Sequence, residues 1–226
     1  MNTMYRVISF DIGGTILDTE SNNKYNLDEL SNLIGLPKNI VRCAYKEVFQ
    51  KRRGTLLELV TLFCNILNIE LDDKIVNFFK EKYSKENNKT NINSDVLKVI
   101  QEIKNMGYKI ILLSNSCCLI DTILDDSIMK NVDRIFYSYD LGYTKSDSEI
   151  YRIVENELGC ESGDVLHIGD TLKSDYIKPR ENGWDSIYYG KIAQDDVISI
   201  SSLTEIVEIL RGKIYGEKGF IKRRTD

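Results

Sequence analysis

VISFDIGGTILDTE, residues 7–20, opens with an apolar, β-branched run that stops at Asp11 and passes at once into Gly13, Gly14 and Thr15. A short apolar run bounded by such turn signals reads as a buried strand. A carboxylate at the carboxyl end of a buried strand lies where open α/β sheets bind their ligands. Two glycines let the backbone turn sharply and bring its N–H groups up to an anion. The stretch therefore reads as a nucleophilic or metal-binding Asp11 beside a phosphate-sized cradle that includes Gly14 and Thr15. Gly13 stands where a second carboxylate would have made the chemistry easy to name.

The rest of the chain sets the frame for that site. At 226 residues it is long enough for one large domain, or for one domain carrying an insertion. A net charge of -5 argues against nucleic acid or an anionic membrane surface as the main partner. The five cysteines, Cys43, Cys64, Cys117, Cys118 and Cys160, form no CxxC pair and no metal-ligand spacing. An odd number inside mostly apolar runs fits reduced thiols of the cytoplasm. Met1 to Tyr5 is short and polar, so no signal peptide is expected. No apolar run approaches the roughly 18 residues of a membrane helix. A soluble, cytoplasmic protein is expected, as a monomer or homodimer, and its basic tail (Lys213, Lys218, Lys222, Arg223 and Arg224) reads as a solvated end.

Five apolar runs read as parallel strands: residues 6–11, 109–115, 134–138, 164–170 and 185–189. Helical patterns at 94–106, 121–129, 146–158 and 174–182 separate the later ones. Strands alternating with helices predict right-handed βαβ units and an α/β, doubly wound parallel sheet. Between the first two strands a helix-type pattern runs from Asn22 to Asn91, broken at Gly35–Leu36–Pro37 and at Arg53–Gly54–Thr55, with a polar return at 84–89. Residues 1–19 and 92–226 are thus expected to form the core, and residues 20–91 an all-α insert over it.

Four signals fall at or just after separate strand ends: Asp11; Ser114 with Asn115; Lys145; and Asp170 with Asp175. In a doubly wound sheet those ends converge on one crevice. Carboxylates with no Cys or His cluster suit a hard, oxygen-preferring cation such as Mg²⁺. A lysine and a hydroxyl suit the oxygens of a phosphoryl group, whose charge must be neutralised during transfer.

These motifs, in this order and with this insert, resemble the haloacid dehalogenase (HAD) superfamily over roughly residues 5–192. The resemblance implies a Rossmann-type core with an α-helical cap and, in most members, a Mg²⁺-dependent phosphatase acting through an aspartyl-phosphate. It implies Asp11 as nucleophile, Ser114 as phosphate-binding hydroxyl and Lys145 as the cation steadying both. Asp170 and Asp175 would hold the metal with Asp11 and the carbonyl of Gly13, while Gly14, Thr15 and Asn115 would complete the phosphate cradle. The substrate expected is a small phosphorylated metabolite. In the cap, Arg52 and Arg53 beside the Gly54 break are candidates for an anionic leaving portion, or an exposed charge run.

Most relatives carry a second Asp where this chain has Gly13. Glycine keeps the carbonyl and loses the general acid/base, a contribution of about 10²–10⁴-fold. Members without that Asp include dehalogenases, which attack carbon without a metal, and phosphonatases, which need a cap lysine such as Lys46 or Lys51. A fold that binds phosphate or a partner without catalysis is a further alternative. His167 reads as a core histidine, and Cys117 and Cys118 as buried thiols at a possible helix start. Asp175 is also a candidate helix cap.

Overall fold

The computed structural model describes residues 5–21, 25–84, 88–93, 95–120, 124, 126–190 and 196–212. Strand β1 (Val7–Phe10) leads through a tight turn into β2 (Leu17–Ser21). Four helices follow, α1 (Leu27–Ile34), α2 (Lys38–Phe49), α3 (Leu56–Leu67) and α4 (Asp73–Lys82). The chain returns through β3 (Asn88–Ile92), antiparallel to β2. Then come α5 (Val96–Asn105), β4 (Lys109–Ser114), α6 (Asp126–Met129), β5 (Arg134–Tyr137), α7 (Ser138–Leu141) and α8 (Ser148–Leu158). The last elements are β6 (Val165–Gly169), α9 (Lys178–Glu181), β7 (Asp185–Tyr189), β8 (Ser199–Ile200) and α10 (Thr204–Leu210).

Six strands form one parallel sheet in the order β5-β4-β1-β6-β7-β8, so the fold is the α/β parallel sheet the sequence predicts. Burial on both faces explains why β1 and β6 are apolar apart from Ser9 and His167. One face packs Ile8, Phe10, Ile110, Leu112 and Ile168 against α5 and α10. The other packs Val7, Ile111, Leu113 and Val165 against Ile150, Tyr151 and Val154 of α8 and against Trp184. The chain moves from β1 to β4 and β5 on one side, then to β6 and β7 on the other. The carboxyl ends of β1, β4 and β6 therefore flank the point where strand order reverses, which is where such sheets bind ligands.

The inserted helices bury a core of their own. Phe79 stacks on Phe49 at 4.4 Å between ring centroids and meets Phe63 edge-on at 5.4 Å. The Thr55–Glu58 capping box opens α3 directly after the Gly54 break. Cys117, Leu119 and Ile120, from the segment following β4, pack into this same cluster.

Several local expectations change. The polar return at 84–89 is partly strand, since Asn88 begins β3, while residues 85–87 lie outside those described. Of the helix expected at 121–129, the described part is Asp126–Met129, and residues 121–123 and 125 lie outside. Cys117 and Cys118 sit in a turn rather than at a helix start. The expected helix at 174–182 is a π-helical turn, Leu172–Ile177, running into α9 with Pro179 in its first turn. The basic tail residues Lys213 to Arg224 lie outside the described residues. Among the described residues no helix is long and apolar enough to cross a membrane.

Candidate active site

β1 hands directly to Asp11, whose N–H donates to the Ile168 carbonyl at 2.8 Å. The loop then folds back, with Gly14 N–H on the Leu17 carbonyl at 2.7 Å and Leu17 N–H on that of Ile12 at 2.8 Å. Gly14 has φ of 75°, and a Cβ there would stand 2.0 Å from Asp170 Oδ2. Glycine is thus required at 14 by backbone and by space alike. Gly13 is not among the glycines of positive φ. Thr15 is fully buried, and its hydroxyl has no protein partner.

Ser114 closes β4, buried at the strand end. The neighbouring Asn115 accepts the Lys145 N–H on Oδ1 at 2.8 Å and so holds the lysine's loop, a contact that leaves its Nδ2 donors uncommitted. That loop is further shaped by Asp147, which accepts the N–H and hydroxyl of Thr144, each at 2.8 Å. Tyr151 Oη donates to the Lys145 carbonyl at 2.8 Å. With its backbone so tied, Lys145 reaches inward and is 2% exposed. Its Nζ lies 2.5 Å from Asp11 Oδ1 and 2.5 Å from Asp175 Oδ1.

Asp170 follows β6, and Asp175 rides on the π-helical turn, a form that recurs at functional sites. Asp175 is not a helix cap: its Oδ2 accepts the Thr171 N–H at 2.9 Å from within the turn. A Cβ on Gly169 would meet Asp175 Cβ and Cγ at 2.6 Å, so this glycine makes room for the carboxylate.

Oxygens of Asp11, Asp170 and Asp175 lie within 4.8 Å of one another. Burial, with Asp175 and Asp170 close by, raises the Asp11 carboxyl to about 7 even though Lys145 opposes it. Asp170 is raised by burial and then by Asp175. Burial would raise Asp175 too, yet Lys145 and the hydrogen bond from His167 hold it well below the usual carboxylate range. Burial disfavours charge on Lys145, but Asp11 and Asp175 keep it firmly protonated. Three clustered carboxylates facing one ammonium leave negative charge in excess. An all-oxygen donor set with that surplus fits a hard divalent cation such as Mg²⁺.

The cap arginines stand apart from this cluster. Exposed Arg53 pairs with Asp140 of α7 and lies over the Tyr139 ring at 5.0 Å, while Arg52 pairs with Glu47 at 3.4 Å. Lys51 bridges Glu47 at 3.3 Å and Asp147 at 3.2 Å, tying the insert to the Lys145 loop. Cys118 Sγ donates to the Gly54 carbonyl at 3.4 Å, and burial pushes the Cys117 thiol up to about 11. Cys117 is buried as expected, whereas Cys118 is half-buried.

Sequence reasoning missed Ser9, Tyr151 and the contact of His167 with Asp175. A period-two signal for the first was there: Ser9 is two residues before Asp11, and His167 two before Gly169.

A family model of haloacid dehalogenase-like hydrolases matches residues 5–177. No curated protein matches this chain by sequence. Among solved structures it is similar to a predicted phosphoglycolate phosphatase from Haemophilus somnus (18% identity, 92% of this chain and 99% of that one, TM-score 0.59). It is also similar to a predicted HAD-like hydrolase from Porphyromonas gingivalis (16% identity, 92% and 98%, TM-score 0.61). A third is the L-2-haloacid dehalogenase from Xanthobacter autotrophicus with chloropropionic acid covalently bound (13% identity, 93% and 100%, TM-score 0.59).

Proposed function

The chain belongs to the haloacid dehalogenase-like hydrolases, and from that premise we propose a Mg²⁺-dependent phosphatase of a small phosphorylated metabolite. The observation that carries this reading is the second and third carboxylates of the site. Asp170 and Asp175 stand with Asp11 around Lys145, a set that attack on carbon without a metal would not need.

Asp11 Oδ would form a bond to phosphorus as the bond to the leaving oxygen breaks, that oxygen taking the electron pair. Water then displaces Asp11 at phosphorus and releases inorganic phosphate. Lys145, already on Asp11 Oδ1, fixes the nucleophile and offsets charge on the phosphoryl oxygens. The Ser114 hydroxyl and the unpartnered Thr15 hydroxyl are donors for those oxygens, while the Gly14 N–H is already spent on the Leu17 carbonyl. The residues to hold Mg²⁺ are Asp11, Asp170, Asp175 and the Gly13 carbonyl, and the ion would supply charge neutralisation at the transferring group.

No side chain at 13 protonates the leaving oxygen, so aryl phosphates, acyl phosphates and anhydrides suit the site better than alkyl phosphates. Because Gly13 has no left-handed φ, the backbone admits a side chain. Gly13→Asp is expected to raise turnover of alkyl phosphates by about 10²-fold or more, the lower end of general-acid help. Unchanged kinetics across a series of alkyl phosphates would remove the missing-acid account.

Arg53, by exchanging Asp140 for an anionic group on the leaving portion, would select such substrates. Arg53→Ala is expected to raise KM about tenfold for an anionic substrate, the scale of one charged hydrogen bond. KM for p-nitrophenyl phosphate should stay unchanged. An equal rise for both would assign the residue to cap docking alone.

The reading itself is tested by turnover of p-nitrophenyl phosphate and acetyl phosphate with Mg²⁺ and with chelator. Mg²⁺-dependent phosphate release supports it. Chloride release from a 2-haloacid that chelator leaves untouched would replace it with carbon attack. Failure on all substrates, in folded protein, would favour the phosphate-binding reading that Gly13 raises.

A further inference from the structure

The chain's one histidine lies directly beneath the site. In the β1–β6 register Ser9 stands opposite His167. Side chains alternate along a strand, so Ser9 shares a face with Asp11, and His167 with Gly169. Ser9 and His167 are both fully buried, on the face covered by Tyr151 and Trp184. His167 Nδ1 is 2.8 Å from Ser9 Oγ, and Nε2 is 3.3 Å from Asp175 Oδ1.

The hydrogen-bond roles in this column follow from its ends. Ionised Asp175 can only accept, so His167 Nε2 carries a proton and donates to it. With that proton on Nε2, Nδ1 faces Ser9 Oγ at 2.8 Å and accepts from its hydroxyl. Ser9 thereby selects the tautomer. The missing side chain at Gly169 is what lets Asp175 come down to the ring, since a Cβ there would overlap it.

A carboxylate offers about four lone-pair positions. On Oδ1, Lys145 and His167 use two, and on Oδ2 the Thr171 N–H uses one. Asp175 is thus gripped from three directions by side chain, side chain and backbone, with one position left to give.

We propose that His167, oriented by Ser9 across the β1–β6 pair, is the positioning residue that fixes the Asp175 carboxylate for both Lys145 and the divalent cation. It touches no substrate and acts through Asp175. The proposal rests on the metal-dependent reading for its second half only, because the His167–Asp175–Lys145 contact stands without an ion.

Two measurements test it, and they fail separately. With one histidine in an untagged chain, the imidazole nitrogens give a single pair of signals in a long-range ¹H–¹⁵N spectrum. Neutral Nε2–H with Nδ1 as acceptor is expected in wild type, and Asp175→Asn should shift both nitrogens. An Nδ1–H tautomer, or the same spectrum in Asp175→Asn, would overturn the proposal whether or not the protein binds metal.

The second measurement is the Mg²⁺ concentration for half-maximal thermal stabilisation, followed alongside that for half-maximal turnover of p-nitrophenyl phosphate. His167→Leu is expected to raise both by about 10–100-fold, the usual cost of losing an outer hydrogen-bond partner of a ligand. His167→Gln can still donate to Asp175 and accept from Ser9, and should recover to within about threefold of wild type. A folded His167→Leu with the wild-type Mg²⁺ requirement overturns the positioning role. Wild type that neither needs nor is stabilised by Mg²⁺ would instead remove the metal reading of the previous subsection, and with it the cation half of this proposal. The nitrogen spectrum would still decide the contact itself.

Discussion

Asp11→Asn is expected to lower turnover on every phosphorylated substrate by on the order of 10⁴-fold or more, the scale on which loss of a covalent nucleophile falls. The variant keeps size and shape, and Lys145 keeps its second carboxylate, Asp175, so the fold should survive. Stability gives an independent check. The Asp11 carboxyl is raised to about 7 by burial, with Asp175 and Asp170 adding to the effect. An unfolded aspartate titrates near about 4. Between those values the folded metal-free protein binds the extra proton, so this group makes stability fall as pH rises. In chelator, Asp11→Asn should therefore melt above wild type, with a gap that widens from pH 5 to pH 7. Mg²⁺ should raise the melting temperature of wild type and leave that of Asp11→Asn nearly unmoved. Residual turnover near wild type would exclude Asp11 as nucleophile.

Lys145→Met carries the second large effect, on stability and catalysis together. The ammonium bridges Asp11 and Asp175 from a position 2% exposed to solvent. Methionine fills a similar volume with no charge, leaving both carboxylates buried without the cation between them. Removing one partner from a buried ionic group costs about 3–5 kcal/mol. Urea unfolding at pH 7 in chelator should show a loss of that size, and Mg²⁺ should restore part of it. Turnover should fall by about 10²–10³-fold, as when one preorganised donor to developing charge is lost. A variant as stable as wild type in chelator would show that the three carboxylates do not depend on this lysine.

The positions of these residues were legible because of how parallel sheets are built. Strands β1, β4 and β6 are buried on both faces, so each is a mainly apolar run with a marked end. Reading Asp11, Ser114 and Asp170 at strand ends, and assuming convergence, places them in one crevice.

What escaped is what depends on space rather than pattern. The β2–β3 ribbon pairs LDTES with NKTNI, two polar segments distant along the chain, and neither carries an alternating apolar face. β8 is two residues long, too short for any periodicity, and α10 (TEIVEIL) spans only two turns. The turn at Leu172–Ile177 follows helical periodicity but winds wider, and within it the carboxylate of Asp175 folds back onto Thr171 N–H. His167 matched an ordinary buried strand residue. Its contact with Asp175 arises only once Gly169 is seen to leave a gap above it. The Asn115 side chain likewise shows its hold on the Lys145 loop only in three dimensions, since Lys145 N–H lies thirty residues away in sequence.

The account turns on Asp11 attacking phosphorus beside a divalent cation, and beryllofluoride, which forms a stable mimic of an aspartyl-phosphate, tests that step most directly. A crystal structure or ¹⁹F spectrum of wild type with Mg²⁺ and beryllofluoride should show one bound BeF₃ group on Asp11. That group should be absent with chelator and absent in Asp11→Asn. A folded wild-type protein that forms no adduct with Mg²⁺ present, or forms the same adduct after Asp11→Asn, would contradict it.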